Sequence, residues 1–352
     1  MIRPKEQISR MRPYCPPIEG RAKFKYRYDF NESTVGCHPN VVKDVVRFIR
    51  EGRLHVYPEY GDLAEVSAGY FGLKPEQVMV TNGSDQGIDI IVRAYVGRGD
   101  EVVIPTPSFA MFYQSAQVEG ADIRKVLYNG DLSFPTERVL DAIGEKTALV
   151  ILCNPNNPTG TPIAREDIIR ILKKARDIPV YVDETYFEFS RQTVADLIGE
   201  YDNLIVTRTF SKAFGLAALR AGFVISDGRN ITELMKVRGP YDVNMIAKTA
   251  IVSAIKNRKP VEKYAREVMD KSRPLLIAGL EDMDFEVYPT SANFLIVRFG
   301  DAAKDVTVRL EKKGVLVRDR SDYPLLGGCV RVSIGTVKDT KYFLKTLREV
   351  LK

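Results

Sequence analysis

From residue 41 to residue 226 the chain alternates two hydrophobic patterns. Short runs of consecutive apolar residues read as strands buried on both faces. Longer stretches with an apolar residue every three or four positions read as amphipathic helices. Val41 to Leu54 predicts a helix with Val42, Val45, Val46 and Ile49 on one stripe, and Ser84 to Tyr95 predicts another through Ile88, Ile91 and Tyr95. Arg165 to Arg176 predicts a third through Ile168, Ile169 and Leu172. Strands are expected at Gln77–Thr81, at Glu101–Ile104 (stopped by Pro105), and at Ala148–Leu152, Pro179–Val182, Asn203–Thr207 and Ala221–Ile225. Apolar strands separated by such helices imply an α/β fold with a mainly parallel central sheet flanked by helices. Ligands of such sheets bind beyond the carboxyl ends of the strands.

After residue 259 the pattern changes. A long helix, Val261 to Asp282, is followed by strands at Asn293–Val297, Val315–Arg318 and Val330–Ile334. A last helix carries Phe343, Leu344, Leu347, Val350 and Leu351 on one face. We expect three regions: an N-terminal arm over 1–35 packed on the small domain, a large domain over 36–260, and a smaller α+β domain over 261–352. Arg21 to Tyr28 alternates basic and aromatic residues and predicts a half-exposed strand.

Composition narrows the function. The chain has 352 residues, 45% hydrophobic and 28% charged, enough for a sizeable core. A net charge of +6 from 52 basic and 46 acidic residues is mild at this size. It suits anionic small molecules better than nucleic acid. The two histidines, His38 and His55, stand apart, which argues against a histidine metal site or a Ser-His-Asp triad. Cys15, Cys37, Cys153 and Cys329 show no CxxC spacing and read as free thiols. No apolar run approaches a membrane span and the N-terminus lacks an apolar signal core, so a cytoplasmic protein is expected.

The candidate chemistry collects at strand ends. Lys212, in Arg208-Thr209-Phe210-Ser211-Lys212-Ala213-Phe214, follows a buried strand. Desolvation there would lower its pKa and make it a Schiff-base nucleophile. Asp183, in Asp183-Glu184-Thr185-Tyr186, ends another strand, where a carboxylate can keep a pyridine nitrogen protonated. Cys153-Asn154-Pro155-Asn156-Asn157-Pro158-Thr159-Gly160 is a proline-stiffened loop rich in amide donors and acceptors. Asn82-Gly83-Ser84-Asp85 opens a helix, whose free N–H groups suit an anion. Taken singly, each has an ordinary structural explanation: a surface lysine, an N-cap, a turn.

In this order, with Tyr57-Pro58-Glu59, Pro107-Ser108-Phe109-Ala110-Met111 and Gly328-Cys329-Val330-Arg331-Val332, these segments resemble the fold-type I aminotransferases, and among them the histidinol-phosphate aminotransferases. The resemblance spans about residues 14 to 336 and implies pyridoxal 5′-phosphate as cofactor. By the same resemblance, Lys212 would carry the cofactor and shuttle a proton, Asp183 would pair with the ring nitrogen, and Asn157 and Tyr186 would bind the ring oxygen. Phe109 would stack on the ring. Ser84, Asp85, Thr209, Ser211 and Arg220 would surround the phosphate, joined by Tyr57 from a neighbouring subunit in a homodimer with shared sites. Arg331 would bind the α-carboxylate of glutamate or the phosphate of histidinol phosphate. Arg318 would add a second positive group, and Tyr14 would line the side-chain pocket.

Two departures from the family pattern stand out. The usual Asn-Glu-Asn-Pro is Asn31-Glu32-Ser33-Thr34 here, and a position often occupied by Tyr is Phe109. The expected reaction is transamination between histidinol phosphate and 2-oxoglutarate in histidine synthesis. Aromatic amino acid transamination is the alternative, with a decarboxylase of the same fold behind it. A nicotinamide dehydrogenase is disfavoured because no strand is followed by G-x-G-x-x-G. A cofactor-binding transcription regulator would need a DNA-binding domain, for which the segment before the core is too short.

Overall fold

The computed structural model describes residues 2–352. Strands are numbered along the chain. β1 is Tyr26–Arg27, β2 Val78–Asn82, β3 Glu101–Thr106, β4 Asp122–Leu127, β5 Thr147–Cys153, β6 Val180–Asp183, β7 Leu204–Thr209 and β8 Ala221–Ser226. β9 is Glu286–Val287, β10 Phe294–Arg298, β11 Val315–Leu316, β12 Arg318–Asp319 and β13 Cys329–Ser333.

β2 to β8 form one seven-stranded sheet in the order β2-β8-β7-β6-β5-β3-β4. β8 runs antiparallel to both its neighbours, and the other pairings are parallel. The expected mainly parallel α/β sheet is therefore present. Alternation within the apolar runs explains its two covers. Val103, Val150, Leu152, Val182 and Val206 face one apolar layer. Val102, Ile104, Leu149, Ile151 and Ile205 face the other. Burying one such side chain contributes about 1.5–3 kcal/mol, so both layers are heavily committed to the core. β3 runs on through Pro105 rather than stopping before it. Pairing with β5 ends at Val103, so Pro105 has β4 alone beside it, and a missing N–H is tolerated there.

The four-stranded second sheet, β12-β13-β10-β9, carries its own core through Leu295, Val297, Val330, Val332, Phe343 and Leu347. The expected strand Val315–Arg318 divides. β11 pairs with β1, and β12 pairs with β13. The long helix is interrupted as well: Lys259–Glu267 passes through a π turn at Val268–Ser272 into Arg273–Glu281.

The expected strand over Arg21 to Tyr28 shrinks to β1 behind a short 3-10 turn at Arg21–Lys23. Arg21 is the reason. Its guanidinium turns inward to Asp29 and Glu32, at 2.8 and 2.7 Å, so the basic residues do not share one solvent face. The first 35 residues also touch both parts of the molecule. β1 joins β11, whereas the helix Glu6–Arg10 reaches the first sheet's helices through Gln7 on the Val118 carbonyl. Among the described residues no helix is long and apolar enough to cross a membrane.

Candidate active site

The carboxyl ends of β5, β6 and β7 point the same way because the strands are parallel, and their following loops meet. A cavity of about 130 Å³ opens there. Ser84, Asp85, Phe109, Asn157, Asp183, Tyr186, Thr209, Ser211, Lys212 and Arg220 all line it, so ten residues singled out from scattered segments converge.

Each loop is held by groups that do not face the cavity. After β5, Asn154 accepts the Ile163 N–H at 2.9 Å. Asn156 donates to the Pro107 carbonyl and to Thr159 Oγ1 while accepting from the Ser108 hydroxyl. Two of the three asparagines thus fasten the loop, and Asn157 is left facing the cavity. After β6, the buried Glu184 binds Arg208 at 2.8 Å and accepts the Val194 N–H. That pair fixes the turn that presents Asp183 and Tyr186. Before the helix Ser84–Tyr95, Gly83 adopts a φ of +80° and no side chain caps the helix start. A Cβ on Gly83 would sit 2.5 Å from Arg220 Nη2, and one on Gly222 would sit 2.2 Å from the Gly83 carbonyl carbon. Both positions need glycine for the loop to lie this close to β8.

The electrostatics are set by burial. Lys212 Nζ donates to the Phe30 carbonyl at 2.9 Å and faces no carboxylate within ion-pair distance. Burial, helped by the nearby Arg331 charge, lowers its pKa to about 8. Roughly a tenth of the amine is then neutral at pH 7, against about 0.03% for an ordinary lysine. Asp183 is buried, accepts the Thr185 N–H at 2.8 Å, and is pushed up to about 6 by desolvation. A buried carboxylate of this kind favours a cationic N–H beside it. Arg220 Nη2 meets Asp85 Oδ2 at 3.0 Å next to Ser84 and the open helix start, giving one cation and several N–H and O–H donors at one end. A lysine of lowered pKa, an unpaired buried carboxylate and an anion-binding end fit pyridoxal phosphate: carbonyl carbon at Lys212, ring nitrogen at Asp183, phosphate at Arg220.

A second cavity of about 190 Å³ adjoins the first and shares Phe109, Asn157 and Lys212 with it. Tyr14 and Arg331 line it as anticipated, together with Phe30, Asn31, Arg320 and Tyr323. Arg331 donates to Asn157 Oδ1 and to the Asp29 carbonyl, and Asn31 Nδ2 donates to the Tyr186 hydroxyl at 2.9 Å.

Two anticipated residues lie elsewhere. Arg318 leans over the Phe30 ring, 5.8 Å from its centroid, and lines neither cavity. Tyr57 is 75% exposed and packs on Tyr241 at 4.6 Å. Conversely, Asn31 was noted only as part of a departing segment, with no site role, and Arg320 was not singled out. The available signal for Arg320 was its spacing: two residues after Arg318, it falls on the same strand face. A larger cavity of about 1020 Å³, between Tyr70, Glu188, Arg208, Arg258 and Arg266, lies apart from Lys212 and has no such convergence at its rim.

Comparison with known proteins agrees with this geometry. The family described as aminotransferase class I and II matches residues 25–347. The histidinol-phosphate aminotransferase of Caldanaerobacter subterraneus subsp. tengcongensis is 37% identical over 332 residues, 93% of each chain. That of Thermoanaerobacter pseudethanolicus is also 37% identical with the same coverage. The solved histidinol-phosphate aminotransferase of Sinorhizobium meliloti, in complex with pyridoxal-5′-phosphate, superposes with a TM-score of 0.88 at 25% identity, covering 100% of this chain and 98% of that one. A family match across nearly the whole length, joined to a lysine-centred cleft at the strand ends, means that the chain belongs to the class I and II aminotransferases.

Proposed function

We propose that this chain transfers the amino group of histidinol phosphate to 2-oxoglutarate in histidine biosynthesis, using pyridoxal phosphate held on Lys212. The observation that carries the reading is the paired cavity. One half suits the cofactor, and the half beside it is lined by arginines and shares Lys212 with the first.

Bound pyridoxal phosphate supplies an electrophilic carbon for amine exchange and a ring that takes up the electrons left by proton removal. The remaining work falls to the chain. Lys212 would anchor the cofactor through its amine and, when free, would be the base placed to take and return the substrate's Cα proton. Its lowered pKa leaves enough neutral amine for this at neutral pH. Asp183 keeps the ring nitrogen protonated. Asn157 and Tyr186 hold the ring oxygen, and Asn31 orients the Tyr186 hydroxyl. Ser84, Thr209, Ser211 and Arg220 would seat the phosphate, with Asp85 holding Arg220 in place, and Phe109 would stack on the ring. Arg331 takes an anionic group of either substrate with the forked geometry that suits carboxylate and phosphate.

The proposal includes a homodimer. Val42, Val46 and Ile49 form an exposed stripe on the helix Pro39–Arg50, near Leu54, Val56 and Tyr57 in the sequence, and all are more than a third exposed. A second copy covering this face would bring Tyr57 to the partner's phosphate end. Free thiols suit the cytoplasm. The deciding experiment compares kcat/KM for histidinol phosphate and phenylalanine with the purified holoenzyme. A wide preference for phenylalanine replaces the substrate assignment with the aromatic one. Carbon dioxide release without consumption of 2-oxoglutarate replaces transfer with decarboxylation.

A further inference from the structure

The cavity of about 1020 Å³ has no part in the reaction above, yet it is walled by neighbours of the catalytic residues. Successive side chains of β7 point to opposite faces, so Thr209 lines the cofactor cavity and Arg208 lines this one. Past β6, Tyr186 likewise lines the cofactor cavity and Phe187 this one. Its volume is that of a small-molecule pocket, roughly 300–1,000 Å³. Tyr70, Phe71, Leu73 and Ile198 give it apolar walls.

Two opposite charges share this cavity without touching. Arg208 is 4% exposed. Its Nε and Nη2 donate to Glu184, and Nη2 also donates to the Thr193 hydroxyl. The Phe187 ring lies 3.5 Å from its guanidinium carbon and the Phe71 ring 5.2 Å, so the group is held flat between rings. Its Nη1 has no hydrogen-bond partner among the described residues. Glu188 also lines the cavity. Its Oε1 lies 3.5 Å from the Tyr70 hydroxyl, at the limit of a hydrogen bond, and the carboxylate forms no ion pair among the described residues. Burial pushes this carboxyl up to about 7, against the pull of Arg208. Buried charged edges without partners are costly, and a ligand that meets both would offset the cost. A simple anion would leave Glu188 unmet and repel it. A simple cation would do the same to Arg208. A molecule with both charges one carbon apart matches the pair.

We propose that this cavity is a second small-molecule site, separate from the substrate cavity, that takes a free α-amino acid with an apolar or aromatic side chain. The carboxylate meets Arg208 Nη1, the ammonium meets the Glu188 carboxylate, and the side chain lies against Tyr70, Phe71 and Leu73. Charge-assisted hydrogen bonds at both heads orient the ligand, and the apolar walls select its side chain. The site does not depend on which amino donor the enzyme prefers.

The test is calorimetric titration of borohydride-reduced holoenzyme, in which the cofactor is fixed to Lys212 and an added amino acid cannot react. The probe is L-phenylalanine. 3-Phenylpropionate, which lacks the ammonium, and phenethylamine, which lacks the carboxylate, are its single-headed controls. Each control should bind about 10-fold more weakly than phenylalanine. Glu188→Gln should weaken phenylalanine about 10-fold or more and leave 3-phenylpropionate within about twofold of the parent. Arg331→Gln, which alters the substrate cavity instead, should leave phenylalanine binding within about twofold. Transamination by unreduced E188Q within about threefold of the parent shows that the variant is folded. Should E188Q not fold, Glu188→Asp carries the same comparison with a loss of about threefold, because it keeps the charge and draws it back by one methylene. Absence of saturable phenylalanine binding to the reduced parent overturns the proposal. So does unchanged binding in E188Q, or an equal loss for 3-phenylpropionate. Binding that is lost in R331Q and kept in E188Q puts the amino acid in the substrate cavity and overturns the second site.

Discussion

The two joined cavities are built by different rules. The cofactor half stands on strand ends of one sheet, and its charges are nearly matched: Arg220 faces Asp85, and the Asp183 carboxylate and the Lys212 amine line the same cavity. The substrate half is assembled from the arm, the second sheet and the Asn157 loop, and it carries arginines without acids. A cofactor that remains through every turnover can be met by a rigid, balanced site. Two substrates that alternate need a site whose attraction is general for anions and whose selectivity comes from where the cations sit.

That contrast can be broken experimentally. The largest effect is expected from Lys212→Ala, which belongs to both halves. It should abolish the yellow absorbance band of the holoenzyme and lower turnover at least about 10³-fold. Retention of either would remove Lys212 from the mechanism. Asp183→Asn acts on the cofactor half alone. Cofactor should remain bound while Cα proton removal slows about 10²-fold or more, measured by exchange of the substrate α-deuteron in single turnover. Arg331→Gln acts on the substrate half. KM for glutamate should rise about 10- to 100-fold with the cofactor spectrum unchanged; a lost spectrum would mean that the halves are not separable.

The smallest effect is a pH shift. The Lys212 pKa is lowered, so its reactive neutral amine accumulates as pH rises through about 8. Cofactor loading onto the apoenzyme should follow that midpoint, well below the ordinary lysine value. Arg331 is one of the charges that depresses Lys212, so R331Q should move the midpoint upward. A midpoint that stays put would deny electrical contact between the halves.

The same division governs what was legible in the amino-acid order. Asp183, Asn157 and Lys212 could be found because each follows a continuous apolar run, and parallel strands bring such points together whatever their separation along the chain. Arg320 was missed because the expected strand ends at Arg318, two residues short of it. In fact the ladder extends to Arg320 through a backbone bond to Cys329, and only that extension gives its spacing from Arg318 a meaning. Phe30 was missed for a similar reason: it meets Lys212 through a carbonyl, a group every residue has. Tyr57 is exposed and lies away from the cleft in a single chain, and the role proposed for it requires a second copy.

The carbonyls of Asp29 and Phe30 have one more consequence. Two consecutive peptide oxygens hold Arg331 and Lys212, the two groups proposed above to hold substrate and move its proton. The arm thus serves as a surrogate ligand. An arriving anion trades places with a peptide oxygen instead of meeting a bare cation, so measured affinity reports the difference between two acceptors. Changes that loosen the arm, even at positions far from any substrate atom, should tighten binding while leaving the chemistry of bound substrate alone.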